Sequence, residues 1–389
     1  MTKQAVLPEI AAIEGEMIET RRRLHAHPEL GFEEHATSAL VAALLTEWGY
    51  RVTRGVGGTG VVGTLSRGHG YRLGLRADMD ALPIQEATQL PYASRAEGVM
   101  HACGHDGHTA MLLGAARCLA RRSQWRGTLN LIFQPAEEGL GGARRMIEDG
   151  LFERFPCDAV YAMHNVPGFP AGRLGFHAGP FMASADEARI RIVGRGGHGA
   201  SPQQTIDPVV VCASIVMALQ SIVGRNVDPQ HPAIVTVGVM LAGTASNVIP
   251  PHADLSLSVR ALSPEVRALL ERRIREIVQG QAASYGAHAD IDYRHDYPVL
   301  VNHAEQTALA RQVALDWGGP DALIDDLRPL MASEDFAYML EQCPGSYLSI
   351  GNGDGTGGCV LHNPEYDFND DCLAIGASYW VLLAERILQ

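Results

Sequence analysis

Residues 129–138 read Leu129-Asn-Leu-Ile-Phe-Gln-Pro-Ala-Glu-Glu138, a short apolar run closed by a proline and then by paired carboxylates. An apolar run of this length bounded by a turn signal reads as a buried strand, Leu129 to Phe133. The same grammar recurs at Leu73 to Ala77, which ends on Asp78-Met-Asp80, and at Ala159 to Met163, which ends on His164-Asn165. Between these strands lie helical patterns over Thr109 to Ala120 and Gly142 to Ile147. Strands alternating with helices predict an α/β fold: a mainly parallel sheet with helices on both faces. In such sheets chemistry collects just past the carboxyl ends of the strands, where these acids and imidazoles fall.

Working outward, Glu14 to Leu24 and Thr37 to Trp48 read as helices and Val61 to Leu65 as a further strand. The pattern changes near Ser184. Glu187 to Val193, Ala253 to Val259 and Ala289 to Tyr293 alternate polar and apolar residues, and Ile234 to Val239 is β-branched. Helical patterns at Asp207 to Leu219 and Pro264 to Tyr285 complete the order β-α-β-β-α-β, a two-layer α+β unit. From Asn302 the first grammar resumes, with a helix to Trp317, a helical segment Glu334 to Glu341, a strand Ser346 to Gly351 and a helix Asp371 to Leu388. The expected organisation is a discontinuous domain, 1–183 and 297–389, with residues 184–296 inserted into it.

With 389 residues, 46% apolar content and 42 glycines, the chain is long enough for two globular domains. A net charge of −13 argues against nucleic acid and anionic membranes as partners and leaves a small molecule. The first eighteen residues carry Glu9, Glu14 and Glu16 and lack a signal-peptide pattern, and no unbroken run of about 18 apolar residues predicts a membrane span. Seven scattered cysteines suit a reducing compartment, so a cytoplasmic location is expected, with Cys118 and Cys212 as core residues. The glycine-rich stretch Gly351 to Gly358 lacks a following Gly-Lys-Ser/Thr, which argues against a phosphate-binding loop.

The densest chemistry is His101-Ala-Cys-Gly-His-Asp-Gly-His108. Cys103 and His105 could offer a thiolate and an imidazole to a metal, and Glu138, His164 and His362 are the candidates to complete the set. Sulfur, nitrogen and carboxylate donors together suit Zn, Mn, Ni or Co rather than Ca or Mg. Of the neighbouring carboxylates one could coordinate metal while the other, Glu137, serves as general base on a metal-bound water, or the pair forms an exposed acidic turn. Asp78 could accept a hydrogen bond from the far nitrogen of a ligand histidine; Asp80 reads as a cap, and Asp106 is either a cap at the start of the Thr109 helix or a supporting residue of the site. His198 sits in the glycine-dense Gly194-Arg-Gly-Gly-His-Gly-Ala-Ser-Pro202, as an exposed functional histidine or a turn residue; Asn247 has the same standing, and Arg260, near a strand end, could grip a substrate carboxylate.

Several blocks together are similar to the M20 metallopeptidases and amidohydrolases. They are Arg23-Leu-His-Ala-His-Pro-Glu-Leu-Gly-Phe32, Leu75-Arg-Ala-Asp-Met-Asp-Ala-Leu-Pro83, the His101–His108 cluster, Phe133-Gln-Pro-Ala-Glu-Glu-Gly139, Ala162-Met-His-Asn165, Gly196-Gly-His-Gly-Ala-Ser-Pro202, Ser246-Asn-Val-Ile-Pro250, Met331-Ala-Ser-Glu-Asp-Phe336 and Leu361-His-Asn-Pro364. Within that family the chain resembles the hippurate hydrolases, N-acyl-amino-acid amidohydrolases and plant auxin-conjugate hydrolases.

The resemblance implies two divalent metals per subunit (Mn, Zn, Ni or Co), held by Cys103, His105, Glu138, His164 and His362. It implies Glu137 as general base, Asp78 behind the ligands, His198 as oxyanion donor and Asn247 in the same cleft, and it leaves the metal-bridging ligand open. The inserted domain would be a lid through which the protein forms a homodimer or dimer-based oligomer. Hydrolysis of N-acyl amino acids follows, hippurate-like substrates favoured, with an N-acetyl-diaminopimelate or other N-acetyl-amino-acid deacetylase as alternative. A non-catalytic metal-binding protein is the reading from a different class. Phe176, Phe181, Met182 and Met331 are candidates to line the acyl pocket.

Overall fold

Strands Gly127–Gln134, Arg72–Asp78, Ala159–Val166 and Gly345–Gly351 lie side by side, all parallel, at the centre of a seven-stranded sheet. Arg51–Val56 and Gly60–Arg67 extend one side as an antiparallel hairpin, and the short Leu174–Gly175 closes the other. The computed structural model describes residues 6–353 and 360–389, so Asp354 to Gly358 of the glycine-rich loop, and Cys359, lie outside the described residues.

Alternation along the central strands explains the layering, because successive side chains point to opposite faces. Leu73, Leu75 and Ala77, with Leu129, Leu131 and Phe133, join one apolar cluster with helices Glu14–Ala26, His105–Arg121 and Asp371–Ile387. Ile132, Val160 and Ala162, at the intervening positions, are equally buried. Helices Gly142–Glu148 and Phe336–Gln342 pack on each other and on these strands. The register sets Asp78 opposite Gln134 and Ser349 opposite His164, so the strands deliver their last residues to one level.

The hairpin strand Arg51–Val56 is absent from the sequence reading for a physical reason. Apart from Val52 and Val56 its residues are polar or glycine, three of the six are exposed, and two valines four residues apart are too few to mark a strand.

The chain divides into two compact units, one of residues 1–179, 301–328 and 335–389 and one of residues 180–300 and 329–334. Against the sequence reading the changeovers fall after 179 and 300 rather than 183 and 296, and 329–334 joins the second unit. That unit is a four-stranded antiparallel sheet in the order Ala233–Ala242, His252–Ala261, Ser184–Val193, His288–Tyr297. Helices Pro208–Arg225 and Pro264–Ser284 bury Val211, Ile215, Leu219, Leu270 and Ile274 against Ile190, Ile192, Leu255 and Leu257. Each helix begins with proline after a side-chain cap, Asp207 accepting from Val209 N–H at 2.9 Å and Ser263 from Val266 N–H at 3.2 Å. The first of them is long and apolar enough to cross a membrane, with only a third of its residues buried within the protein. Its apolar character exceeds what packing on the sheet uses, since Val210 and Met217 face outward.

Candidate metal centre

Helix His105–Arg121 starts four residues earlier than the sequence suggested, from Gly104 at φ +90°. Only glycine fits there: a Cβ would lie 2.4 Å from Asn165 Oδ1 and 2.7 Å from the Tyr366 hydroxyl oxygen. The tight turn leaves Cys103 buried, with Sγ 3.4 Å from His164 Nε2. Two other strained turns deliver neighbouring groups. Ala136, at φ +53°, precedes Glu137-Glu138 and donates its N–H to Glu34 Oε1 at 2.8 Å. His362, at φ +63°, donates its N–H to the Ala102 carbonyl at 2.8 Å. Non-glycine residues hold such conformations only where the surroundings enforce them, and functional sites are the usual place.

Ligand-type atoms converge in overlapping sets: Cys103, His105 and His164; Cys103, Glu138 and His362; and His105, Glu137 and Glu138, with the atoms of each set within 4.8 Å of one another. Glu138 Oε1 is 3.3 Å from His362 Nε2 and 4.0 Å from His105 Nε2. His105 Nε2 and Glu138 Oε1 are buried with no hydrogen-bond partner among the described residues. Buried polar atoms normally have partners, and two unpaired ones at the same small volume are what a cation, displacing the His105 proton, would satisfy. The residues therefore fit a metal of the borderline class.

Outer hydrogen bonds fix which nitrogen each ring presents. His164 Nδ1 is 2.7 Å from the Asn165 carbonyl, to which it donates, so the lone pair is on Nε2. His105 Nδ1 is 3.2 Å from Asp80 Oδ1, while Asp80 Oδ2 accepts the Glu138 N–H at 2.9 Å. The sequence reading gave this supporting place to Asp78, and the structure gives it to Asp80. Two residues apart on a strand, Arg76 and Asp78 share a face, and the guanidinium draws the Asp78 carboxylate to 2.6 Å. Asp78 Oδ1 is instead 2.6 Å from His108 Nδ1 and its Oδ2 only 3.8 Å from His105 Nε2.

Charge follows this geometry. Burial, and then the Glu138, Glu137 and Asp78 carboxylates, push the Cys103 thiol well above its ordinary value. Burial works against a charged His105, but Asp78, Asp80 and Glu138 outweigh it and push the imidazole up to about 10. His164 is held well below the usual imidazole value, by burial and then by the neighbouring His108 ring. His362 is raised by its Glu138 partner. Without metal, the centre stores protons.

Glu137 is 7% exposed, close to His105 and Glu138, and its Oε1 accepts the Asp335 N–H at 3.4 Å. Asp106 is no cap: it lies in the first helical turn, fully buried, 2.8 Å from Arg21 Nε and 2.9 Å from His25 Nδ1. Those two cations claim a carboxylate that would otherwise turn back to the helix N–H groups.

His198 and Asn247 lie together in the second unit, where Gly197–His198 pairs with Val248–Ile249 and the Gly199 N–H donates to the Asn247 carbonyl at 2.8 Å. The Ala200 N–H donates to His198 Nδ1 at 3.0 Å. A neutral His198 ring thus carries its proton on Nε2, as an exposed N–H donor. Arg260 Nη1 is taken by the Met331 carbonyl at 3.0 Å. Of the acyl-pocket candidates, Phe176 packs on Tyr379 in the first unit's core, and Phe181 and Met182 are buried in the second.

The family model for peptidase family M20/M25/M40 matches residues 74–386. The chain belongs to that family. It is 47% identical over 385 residues to the hippurate hydrolase of Campylobacter jejuni, covering 99% of this chain and 100% of that protein. It is 38% identical to the N-acetyl-L-cysteine deacetylase of Bacillus subtilis, covering 97% and 90%. Among solved structures, a dinuclear metal binding peptidase of the M20 family from Bacillus subtilis superposes with a TM-score of 0.85 at 34% identity, covering 97% and 99%. The protein is a metal-dependent hydrolase of amide bonds.

Sequence reasoning missed His108, Asn165 and Tyr366, which brace the centre from behind: His108 Nε2 is 2.7 Å from Asn165 Oδ1, and Asn165 Nδ2 donates to the Tyr366 hydroxyl at 2.6 Å. The available signal was Gly104, placed where the turn must press on something. Gly104→Ala is expected to destabilise the fold by roughly 2–4 kcal/mol, the sum of a left-handed alanine and an overpacked wall. Urea denaturation of the two proteins side by side would show it, and an unchanged midpoint would contradict the close approach.

Proposed function

We propose that this hydrolase cleaves the amide bond of N-acyl amino acids, hippurate-like substrates favoured, to release a carboxylic acid and a free amino acid. The observation that carries the reading is a cluster of metal-ligand side chains with a second carboxylate, Glu137, adjacent to Glu138 within it. Likeness to a hippurate hydrolase along the whole chain supports the benzoyl preference. Likeness to an N-acetyl-L-cysteine deacetylase keeps a smaller acyl group as second reading.

Two divalent ions, of Mn, Zn, Ni or Co, would be held by Cys103, His105 and His164 on one side and by Cys103, Glu138 and His362 on the other. Cys103 belongs to both sets, and His105 and Glu138 also fall together in a further set with Glu137. When bound, such ions supply Lewis acidity for the acyl carbonyl and the attacking water.

The chain's own residues do the rest. Glu137 takes a proton from the attacking water and returns it to the leaving nitrogen, which makes the amine a competent leaving group. Asp80 orients His105 and, through the Glu138 N–H, the carboxylate beside it. His198 offers its Nε2 N–H to the oxyanion, a donor worth most in the transition state, with Asn247 beside it. Arg260 remains the candidate for the substrate carboxylate, through donors other than Nη1. Asp78 acts behind the ligands through His108.

The outer strand Ala233–Ala242 exposes Val239, Met240 and Leu241 on an open sheet edge, and Met217 stands out from the neighbouring helix. A second copy of the chain would cover them, which favours a homodimer over a membrane as the partner of this face. The six described cysteines are all free, consistent with a reducing, cytoplasmic setting.

Glu137→Gln should lower kcat by roughly 10²–10⁴-fold while metal content, read by elemental analysis, stays at the wild-type level. Activity retained after that change would remove Glu137 from the role of base. Assayed against N-benzoyl, N-acetyl and indole-acetyl amino acids, the wild type should favour N-benzoylglycine; a clear preference for acetyl substrates would move the assignment to the deacetylase reading.

Metal binding should also release protons, because His105 and Cys103 hold theirs in the metal-free protein and must lose them to coordinate. Both values are raised, so apparent affinity should climb as pH rises from about 6 to 8, about tenfold per pH unit for each proton displaced. Calorimetric titration in buffers of different ionisation enthalpy would count those protons, and none released would contradict the ligand set.

A further inference from the structure

Arg76 is a fully buried guanidinium in the middle strand of the sheet, and every direction it points is occupied. Nη1 donates to Asp78 Oδ2 at 2.6 Å, Nε to Gln134 Oε1 at 2.7 Å and Nη2 to Asp335 Oδ1 at 3.3 Å. Gln134 closes the ring by donating Nε2 to the same Asp335 oxygen at 2.7 Å, and Asp335 Oδ2 accepts the Ala143 N–H at 2.8 Å. None of these side chains reaches solvent.

The two carboxylates lead to different parts of the centre. Asp78 reaches His108 at 2.6 Å, and from there the contacts run to Asn165 and Tyr366. Asp335, through its own N–H, reaches Glu137 Oε1 at 3.4 Å. A buried chain of hydrogen bonds therefore passes beneath the ligands and emerges at the base, with Arg76 at its midpoint.

Stability alone is a weak reason to keep such a group. Desolvating a guanidinium and two carboxylates costs several kcal/mol per ion, and apolar replacements of similar volume are often neutral or better. A planar fork with fixed donor directions does something apolar packing cannot: it sets the distance between two anions.

We propose that Arg76 is a positioning residue, whose guanidinium spans Asp78 on the imidazole side and Asp335 on the Glu137 side and so fixes the base relative to the metal ligands. The proposal rests on the functional reading above for Glu137. Asp335 and Gln134 are part of the same device, one as the second anchor and the other as the strut that holds it.

The test uses full-length Arg76→Lys, which keeps the charge and loses the fork, and Asp335→Asn, which keeps the shape and loses the charge. Zinc affinity, by competition with a chromophoric chelator, and kcat and KM with N-benzoylglycine at saturating zinc are compared with wild type. Expected for Arg76→Lys are about 10–100-fold weaker zinc binding and a loss in kcat on the order of 100-fold, with KM within about threefold. If Arg76→Lys fails to fold, Asp335→Asn carries the test with the same kcat threshold. The proposal is overturned if the folded variants keep kcat and zinc affinity within about threefold of wild type, or if the loss falls on KM alone. Wild-type inactivity toward every N-acyl amino acid would sink the functional reading instead, and zinc affinity would still report on Arg76.

Discussion

Buried negative charge is the constraint on which the rest of this molecule depends. Asp78, Asp80 and Glu137, with the Cys103 thiol, are packed at the carboxyl ends of parallel strands with almost no access to water. Such a concentration is tolerable only where cations offset it. Arg76 offsets Asp78 on one side and, against the cost of burial, holds its carboxyl well below the usual range together with His105 and His108. On the other side the protein answers with protons, on His105 and on the cysteine sulfur. Divalent metals can replace those protons and bring the stronger charge that amide hydrolysis needs.

The scaffold makes that concentration possible by distributing its cost. Parallel strands bring residues far apart in sequence to one level, so Asp78, Gln134 and His164 meet although more than eighty residues separate the first from the last. Three left-handed backbone positions, at Gly104, Ala136 and His362, then turn the chain sharply enough to aim the side chains inward. The strain at Ala136 and His362 is held by hydrogen bonds to Glu34 and to the Ala102 carbonyl, which tie both turns to the rest of the first unit.

How much of this could be read in the sequence depended on whether the signal was chemical or geometric. Residue type announced the candidate ligands Cys103, His105, Glu138, His164 and His362, which the fold brings close together. Hydrophobic period announced the central strands and the β-α-β-β-α-β order of the second unit, since both are set by burial on known faces. The division of labour between Asp78 and Asp80 was not legible, because it turns on a same-face arginine that reads as one more polar residue in a strand. Asp106 stayed open between cap and supporting residue because its partners Arg21 and His25 lie some eighty residues away. The edge strand Arg51–Val56 has no apolar period to read, and Arg76 gives no sign in sequence of the anions that surround it.

What ties the parts together is the convergence of Cys103, His105, Glu138, His164 and His362 on one small volume. Anomalous diffraction from crystals of the zinc- or manganese-loaded protein, recorded at the metal's absorption edge, tests this most directly. The account predicts two peaks per subunit among these five side chains, within coordination distance of their ligand atoms. A single peak, or peaks away from these side chains, would contradict it.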